Sequence, residues 1–248
     1  MRPVVWFAAA SMATTIVHEL THAVVAYALG VRSTLYGYLV DVDFTQAQAT
    51  IRNRALIGIS GPLVCLAAGA LCLLAFKRAR GSAASLPLIF LTVFGIGSFF
   101  GNLMSASFVG DFAAVAVVLG LPTGVRYVIS AIGLLGVTGI HFWGGRELSR
   151  WIPAAVGTAL GTAGIVALPA VAGTLAVILA NQPMPGPSVV ARLAEASFWL
   201  FAVLGAVTAP RVPDRAPTPL VMRWADVAAI IVAVGVVRVM VRGIPFTP

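Results

Sequence analysis

The sequence predicts an all-α polytopic membrane protein of about six to seven transmembrane helices, with a short membrane-associated β-hairpin after the first. Three observations predict it. Of 248 residues, 60% are hydrophobic and 10% charged, and the mean hydropathy is +1.00, which leaves a water-soluble chain of this size too little polar surface to cover its core. The apolar residues gather in runs near 3–29, 55–76, 86–121, 124–143, 153–180, 189–209 and 222–242, most of them close to the roughly 20 residues that cross a bilayer. Lys and Arg outnumber Asp and Glu by 16 to 8, and nearly all lie between the runs or at their ends. Basic residues so placed suit loops at lipid headgroups, whereas a nucleic-acid surface concentrates them on one soluble face. The lipid bilayer is the expected surrounding, in a cell membrane of bacterial type, and no nucleic-acid partner is expected.

The first run follows Arg2 and stays apolar to Leu29, longer than the apolar core of a signal peptide, so it is expected to remain as a span. Next, "YGYLVDVDFTQAQATIRN" alternates apolar and polar through Val40, Asp41, Val42, Asp43 and Phe44 and returns with Gln46, Gln48 and Thr50. Period two argues for strands, here a hairpin within 34–52 that turns at 45–47, with a plain polar loop as the alternative. The 86–121 run would rise about 54 Å as one helix against a hydrocarbon core of about 30 Å. Its middle, "GNLMSASFVGD", is expected to break, with Asp111 at the restart, and a broken helix at membrane depth lines a site or cavity. Glycines at 133, 136 and 139 and the Gly157-x-x-x-Gly161 spacing suggest close helix packing. Cys65 and Cys72 are about 10 Å apart along one helix, beyond disulfide reach, and read as small apolar residues.

The chemistry is concentrated at His18-Glu19-Leu20-Thr21-His22. Imidazoles four residues apart lie one turn apart on one helix face, as two ligands of one metal must, and the acid beside them is placed to act on water. Two of the chain's three histidines and one of its three glutamates fall within these five residues. Burying them in mid-span costs several kcal/mol each unless they are paired, protonated or metal-bound; a polar cluster joining helices is the plainer alternative. A catalytic zinc needs one more protein ligand. Asp111 is the other acid deep inside an apolar run, and its alternative role is to cap the helix from Phe112. His141, in "GIHFWGG" beside Trp143, is the rival ligand, in a position more interfacial than central.

On these residues the chain resembles the site-2 protease family of intramembrane zinc metalloproteases. The parts stand in family order: His18-Glu19-Leu20-Thr21-His22, the alternating 38–52 segment, Gly61-Pro62 in "GISGPLVCL", Asn102, then Asp111. The chain differs in lacking prolines between Asn102 and Asp111, in an interval one residue longer, and in Phe112 where the family has Gly. The resemblance covers residues 1–121, taken as a catalytic core, and leaves 122–248 as additional transmembrane helices of unknown role. It implies one Zn²⁺ held by His18, His22 and Asp111, with Glu19 as the catalytic base and a transmembrane protein as substrate. Asn102 would bond the substrate backbone or, alternatively, a neighbouring helix. An edge strand in the hairpin would hold the substrate extended.

The competing functions are a transporter or channel with an intramembrane metal site, and a non-catalytic scaffold of the same fold. The short loop with Lys77, Arg78 and Arg80 reads as cytoplasmic by its charge, whereas the resemblance puts the opposite end of the bundle on that side. Both orientations stay open, as does the oligomeric state.

Overall fold

The computed structural model describes residues 2–151, 159–209 and 222–248. The chain runs α1 (Arg2–Ala28), β1 (Ser33–Leu35), β2 (Val40–Val42), α2 (Ile51–Ala79), α3 (Ser85–Met104), a 3-10 turn (Ser105–Ser107), α4 (Asp111–Val118), α5 (Thr123–Ser149), α6 (Ala159–Ala180), α7 (Gly186–Ser197), α8 (Trp199–Thr208), α9 (Trp224–Met240) and β3 (Ile244–Phe246). Six helical segments among the described residues are long and apolar enough to cross a membrane: 2–28, 51–79, 85–107, 123–149, 161–180 and 188–208. Helix α9 has 17 residues, about 26 Å of rise, slightly short of the hydrocarbon thickness. Leu71, Leu135, Val171 and Leu200 on the bundle exterior are all exposed, a liability in water but the proper outer face for lipid.

Helix α1 is central and packs on α2, α3, α6 and α9. Its first half presents Phe7 and the run Ala8–Met12 to the interior. Phe7 meets Phe94 edge-on at 4.9 Å and Trp199 at 4.9 Å between ring centroids, so one aromatic cluster joins α1, α3 and α8. Between α2 and α3 the backbones touch: a Cβ on Gly69 would sit 2.6 Å from the Ile96 nitrogen. In lipid no hydrophobic effect drives helices together, so contact of this kind is what holds them. Gly133 and Gly136 serve α3 and α5 in the same way, through the Met104 backbone and the Phe100 ring, but Gly139 faces open space and takes no part in packing. Gly157 lies outside the described residues, as do the first residues of the 153–180 run.

The 86–121 run breaks where its small polar residues fall. Helix α3 ends at Met104 and α4 starts at Asp111, with Gly110 at φ 102° supplying a turn that a residue with a side chain rarely adopts. The hairpin is real but placed earlier than expected. Val40–Val42 is its second strand and pairs with Ser33–Leu35, whereas 45–50 forms no strand. Side chains explain the correction: Asp43 Oδ1 accepts from the Thr45 amide at 3.1 Å and hydroxyl at 2.5 Å, turning the chain where alternation would continue it. Those same bonds, hydroxyl first, hold the Asp43 carboxyl below the usual carboxylate range. Arg54 then fastens the turn, donating to Phe44 O at 2.7 Å and Ala49 O at 2.8 Å.

A third strand was not expected. The chain's last residues return as β3, antiparallel to β1, giving the order β2-β1-β3. Backbone bonds from Tyr36 N to Leu39 O and from Asp43 N to Arg32 O flank the β1–β2 ladder. By antiparallel alternation Asp41 therefore bonds inward, and the Val40 and Val42 amides face the free edge. On the other side Pro245, opposite Thr34, sits where its amide would face outward, so that edge cannot extend a regular ladder.

At the other end of the bundle the Arg2–Asp226 pair joins three segments. Asp226 accepts from Arg2 Nε at 2.9 Å, Trp6 Nε1 at 2.6 Å and the Arg223 amide at 2.8 Å, while Arg2 Nη2 donates to Ala83 O at 2.9 Å. Both charged side chains are buried. Replacing Asp226 with Ala leaves the Arg2 charge without its acid, a change that costs about 3 kcal/mol or more. At about 2–4 °C per kcal/mol for this size, the midpoint of thermal unfolding in detergent should fall by roughly 10 °C; an unchanged midpoint would show that the pair does not hold α9 to α1.

Candidate metal centre

The three expected ligands arrive from two helices. His18 and His22 lie one turn apart on α1, both buried, and Asp111 comes from the first residue of α4. The Asp111 carboxylate oxygen Oδ2 is 2.8 Å from His18 Nε2 and 3.3 Å from His22 Nε2. The three donor atoms lie within 4.8 Å of one another, and no other such trio of His, Cys, Asp or Glu occurs among the described residues.

The imidazoles are oriented from behind. His22 Nδ1 donates to Ile57 O at 2.6 Å, which turns Nε2 toward the cluster, where that buried nitrogen has no hydrogen-bond partner. The Ile57 carbonyl is shared with Ser60 Oγ at 2.7 Å, and Pro62 lacks the N–H that would bond Gly58 O in the same turn of α2. His18 Nδ1 has Ser98 Oγ at 3.5 Å and Cys65 Sγ at 3.7 Å. Cys65 is buried and unpaired, and it touches the ring back rather than joining the donor trio.

Glycine provides the room. A Cβ on Gly61 would lie 2.5 Å from His22 Nε2 and 3.0 Å from His18 Cδ2, so only a residue without one fits beside both rings. Gly58 does the same for α4, where a Cβ would meet Val115 Cγ2 at 2.7 Å. Asp111 itself is fixed through the broken segment. Ser107 bonds Ser130 at 2.9 Å between hydroxyls, its amide donates to the same oxygen at 3.2 Å, and Arg126 Nε donates to Ala106 O at 3.1 Å. The cap of α4 is Gly110, and the Asp111 carboxylate goes to the histidines rather than to the helix end.

Glu19, partly buried, lines a cavity of about 590 Å³ together with His22, Asp111, Val40, Val42 and Arg126. Asn102 does not line it: its amide donates to Ser98 O of its own helix at 3.0 Å. His141 is separate from the trio. Its Nδ1 donates to Val137 O at 2.8 Å and its ring lies edge-on to Trp199 at 5.5 Å, so it is a buried histidine with its own partners inside the bundle.

The donor set suits a small divalent ion. Ligands about 2.0–2.2 Å from a tetrahedral zinc lie roughly 3.3 Å apart, so the separations of 2.8 and 3.3 Å need shift only by tenths of an ångström. Two imidazoles and a carboxylate, with one histidine nitrogen orphaned and its other nitrogen on a carbonyl, match what zinc takes and how its histidines are held. Comparison with protein-family models, curated proteins and solved structures gives no match.

Substituting Gly61 with Ala tests the arrangement. The change favours helix by about 1 kcal/mol, so a loss of metal affinity cannot come from a weakened α2. Zinc affinity, measured by competition with a chromophoric chelator, should fall roughly 10–100-fold, the scale of losing contacts that orient ligands. Unchanged affinity would mean that the imidazoles do not bind metal beside Gly61.

Proposed function

We propose that the chain is an intramembrane zinc metalloprotease of site-2 protease type, cleaving a peptide bond in or near the transmembrane segment of a membrane protein. The observation that carries the reading is the meeting of His18, His22 and Asp111 beside a cavity whose wall includes His22, Asp111, Glu19 and the β2 residues Val40 and Val42. Zinc, when bound, polarises a carbonyl and lowers the pKa of bound water to about 7.

The chain's own residues supply the remaining steps. Ionised Glu19 takes the proton of the attacking water and returns it to the amine that leaves. The outward amides of Val40 and Val42 receive an unwound substrate as an added strand, which presents its backbone to the cavity. Because Pro245 closes the far edge of the sheet, strand addition is directed to the side where Glu19 lies.

Purified zinc-loaded protein in detergent should cleave members of a panel of single-span helical substrates. Glu19→Gln should keep the metal and lose roughly 10²–10⁴-fold in rate. Equal cleavage by both proteins would trace the activity to a contaminant. Bound metal without cleavage in the unsubstituted chain would instead favour a transporter or a binding scaffold.

The edge strand has its own test. Val42→Pro removes an amide that faces away from β1, so the sheet stays paired and the thermal midpoint should hold within a few degrees. The specificity constant should fall about tenfold, as expected for one lost backbone hydrogen bond to substrate. Full retention would remove β2 from substrate binding.

A further inference from the structure

Two guanidinium groups line the cavity that holds Glu19: Arg54 from α2 and Arg126 from α5. Neither forms an ion pair among the described residues. The two are not equivalent. Arg54 uses Nε and Nη2 on the Ala49 and Phe44 carbonyls and lies over the Phe44 ring at 5.3 Å, so its main work is to hold the turn after β2. Among the described residues Arg126 donates only Nε, to Ala106 O, and both its terminal nitrogens are without a protein acceptor there.

A planar guanidinium anchored through Nε presents its two outer nitrogens as a fork, the arrangement that takes a carboxylate in two parallel bonds. The remaining wall is largely apolar, from Leu39, Val42, Phe108 and Val117. In such surroundings an unmatched cation is costly and an acid brought by a ligand is favoured. With a divalent ion between its ligands, positive charge in the cavity outnumbers that of Glu19 and Asp111.

We infer that Arg126 is a substrate-specificity residue that takes a carboxylate, an Asp or Glu side chain on the extended peptide that lies along β2. This deepens the protease reading and rests on it. The other partner open to an arginine at this depth is a lipid phosphate, reached by extending toward the headgroups. Its position on the wall of the same cavity as Glu19 and β2 favours the peptide.

The test uses binding, so that it does not depend on turnover. Fluorescent peptides that differ only by Asp or Asn, with that residue stepped along an otherwise apolar extended sequence, are titrated into full-length Glu19→Gln protein in neutral detergent. At one position the Asp peptide should bind about tenfold tighter than its Asn partner, as expected for one charge-assisted pair. Adding Arg126→Gln should abolish that difference, so that the two peptides bind alike, and Arg126→Glu should shift the preference to a Lys peptide.

Equal binding of Asp and Asn peptides at every position overturns the inference, as does failure of the whole panel to bind. A parallel loss for both peptides on Arg126→Gln also overturns it, since that is what loosening Ala106 alone would do. Suppression of the Asp preference by added phosphatidylglycerol, together with loss of that lipid from Arg126→Gln protein, reassigns the residue to headgroups. A charge preference in binding beside absent cleavage in the unsubstituted chain would sink the protease reading and leave this site standing.

Discussion

The contact between the Asp111 carboxylate and the His18 and His22 imidazoles sets terms that the rest of the fold must meet. Each group would cost several kcal/mol to bury alone in an apolar bundle, so the three must converge, and Asp111 is 93 residues from His18 along the chain. Convergence requires the third apolar run to stop and restart. The stop requires a glycine at positive φ, and the unwound backbone then needs hydrogen-bond partners that lipid cannot give. Ser130 and Arg126 on α5 are those partners, so the position of α5 follows from the need to satisfy a loop at membrane depth.

Space is the second condition. Two imidazoles set this close to one carboxylate must be backed by something close, and here the backing is the α2 backbone itself. Gly61 lets the helix approach both rings, and Ile57 O, one turn before it, orients His22. The glycine of the Gly-Pro pair inside this apolar helix is thus explained without reference to any family: it supplies the gap beside the rings.

This division also accounts for what could be read in the sequence. The spans, the break before Asp111 and the pairing of His18 with His22 were legible because each depends on local pattern: run length, small polar residues, a spacing of four. The trio itself rested on ligand counting: two histidines leave a catalytic zinc one protein ligand short, and Asp111 is the other acid deep inside an apolar run. Less was visible where tertiary contact decides. Asn102 satisfies its amide within its own helix, Gly139 looks like Gly133 in sequence but faces nothing, and His141 is buried by Trp199, which is distant in sequence. The hairpin was misplaced because the bonds that end β2 at Asp43 are made by side chains, which alternation does not register. The third strand had no signal at all, since three residues after a helix carry no periodicity.

That third strand changes how the second half of the chain is understood. Helix α9 is short for a span, yet it is fixed at both ends: Asp226 ties its start to Arg2 and Trp6 at the head of α1, and β3 ties the chain beyond it to β1, which directly follows α1. Helix α6 packs on the same central helix, with Gly173 against Phe7. Residues past 122 therefore hold α1 from the side opposite α2, and the helix that carries His18, Glu19 and His22 is clamped between the two halves. The arrangement also assigns the two edges of the sheet. One is closed by Pro245 in β3, and the other, along β2, shares a cavity wall with Glu19, His22 and Asp111, so the C-terminal strand braces the sheet that follows α1 and leaves β2 as the open edge among the described residues.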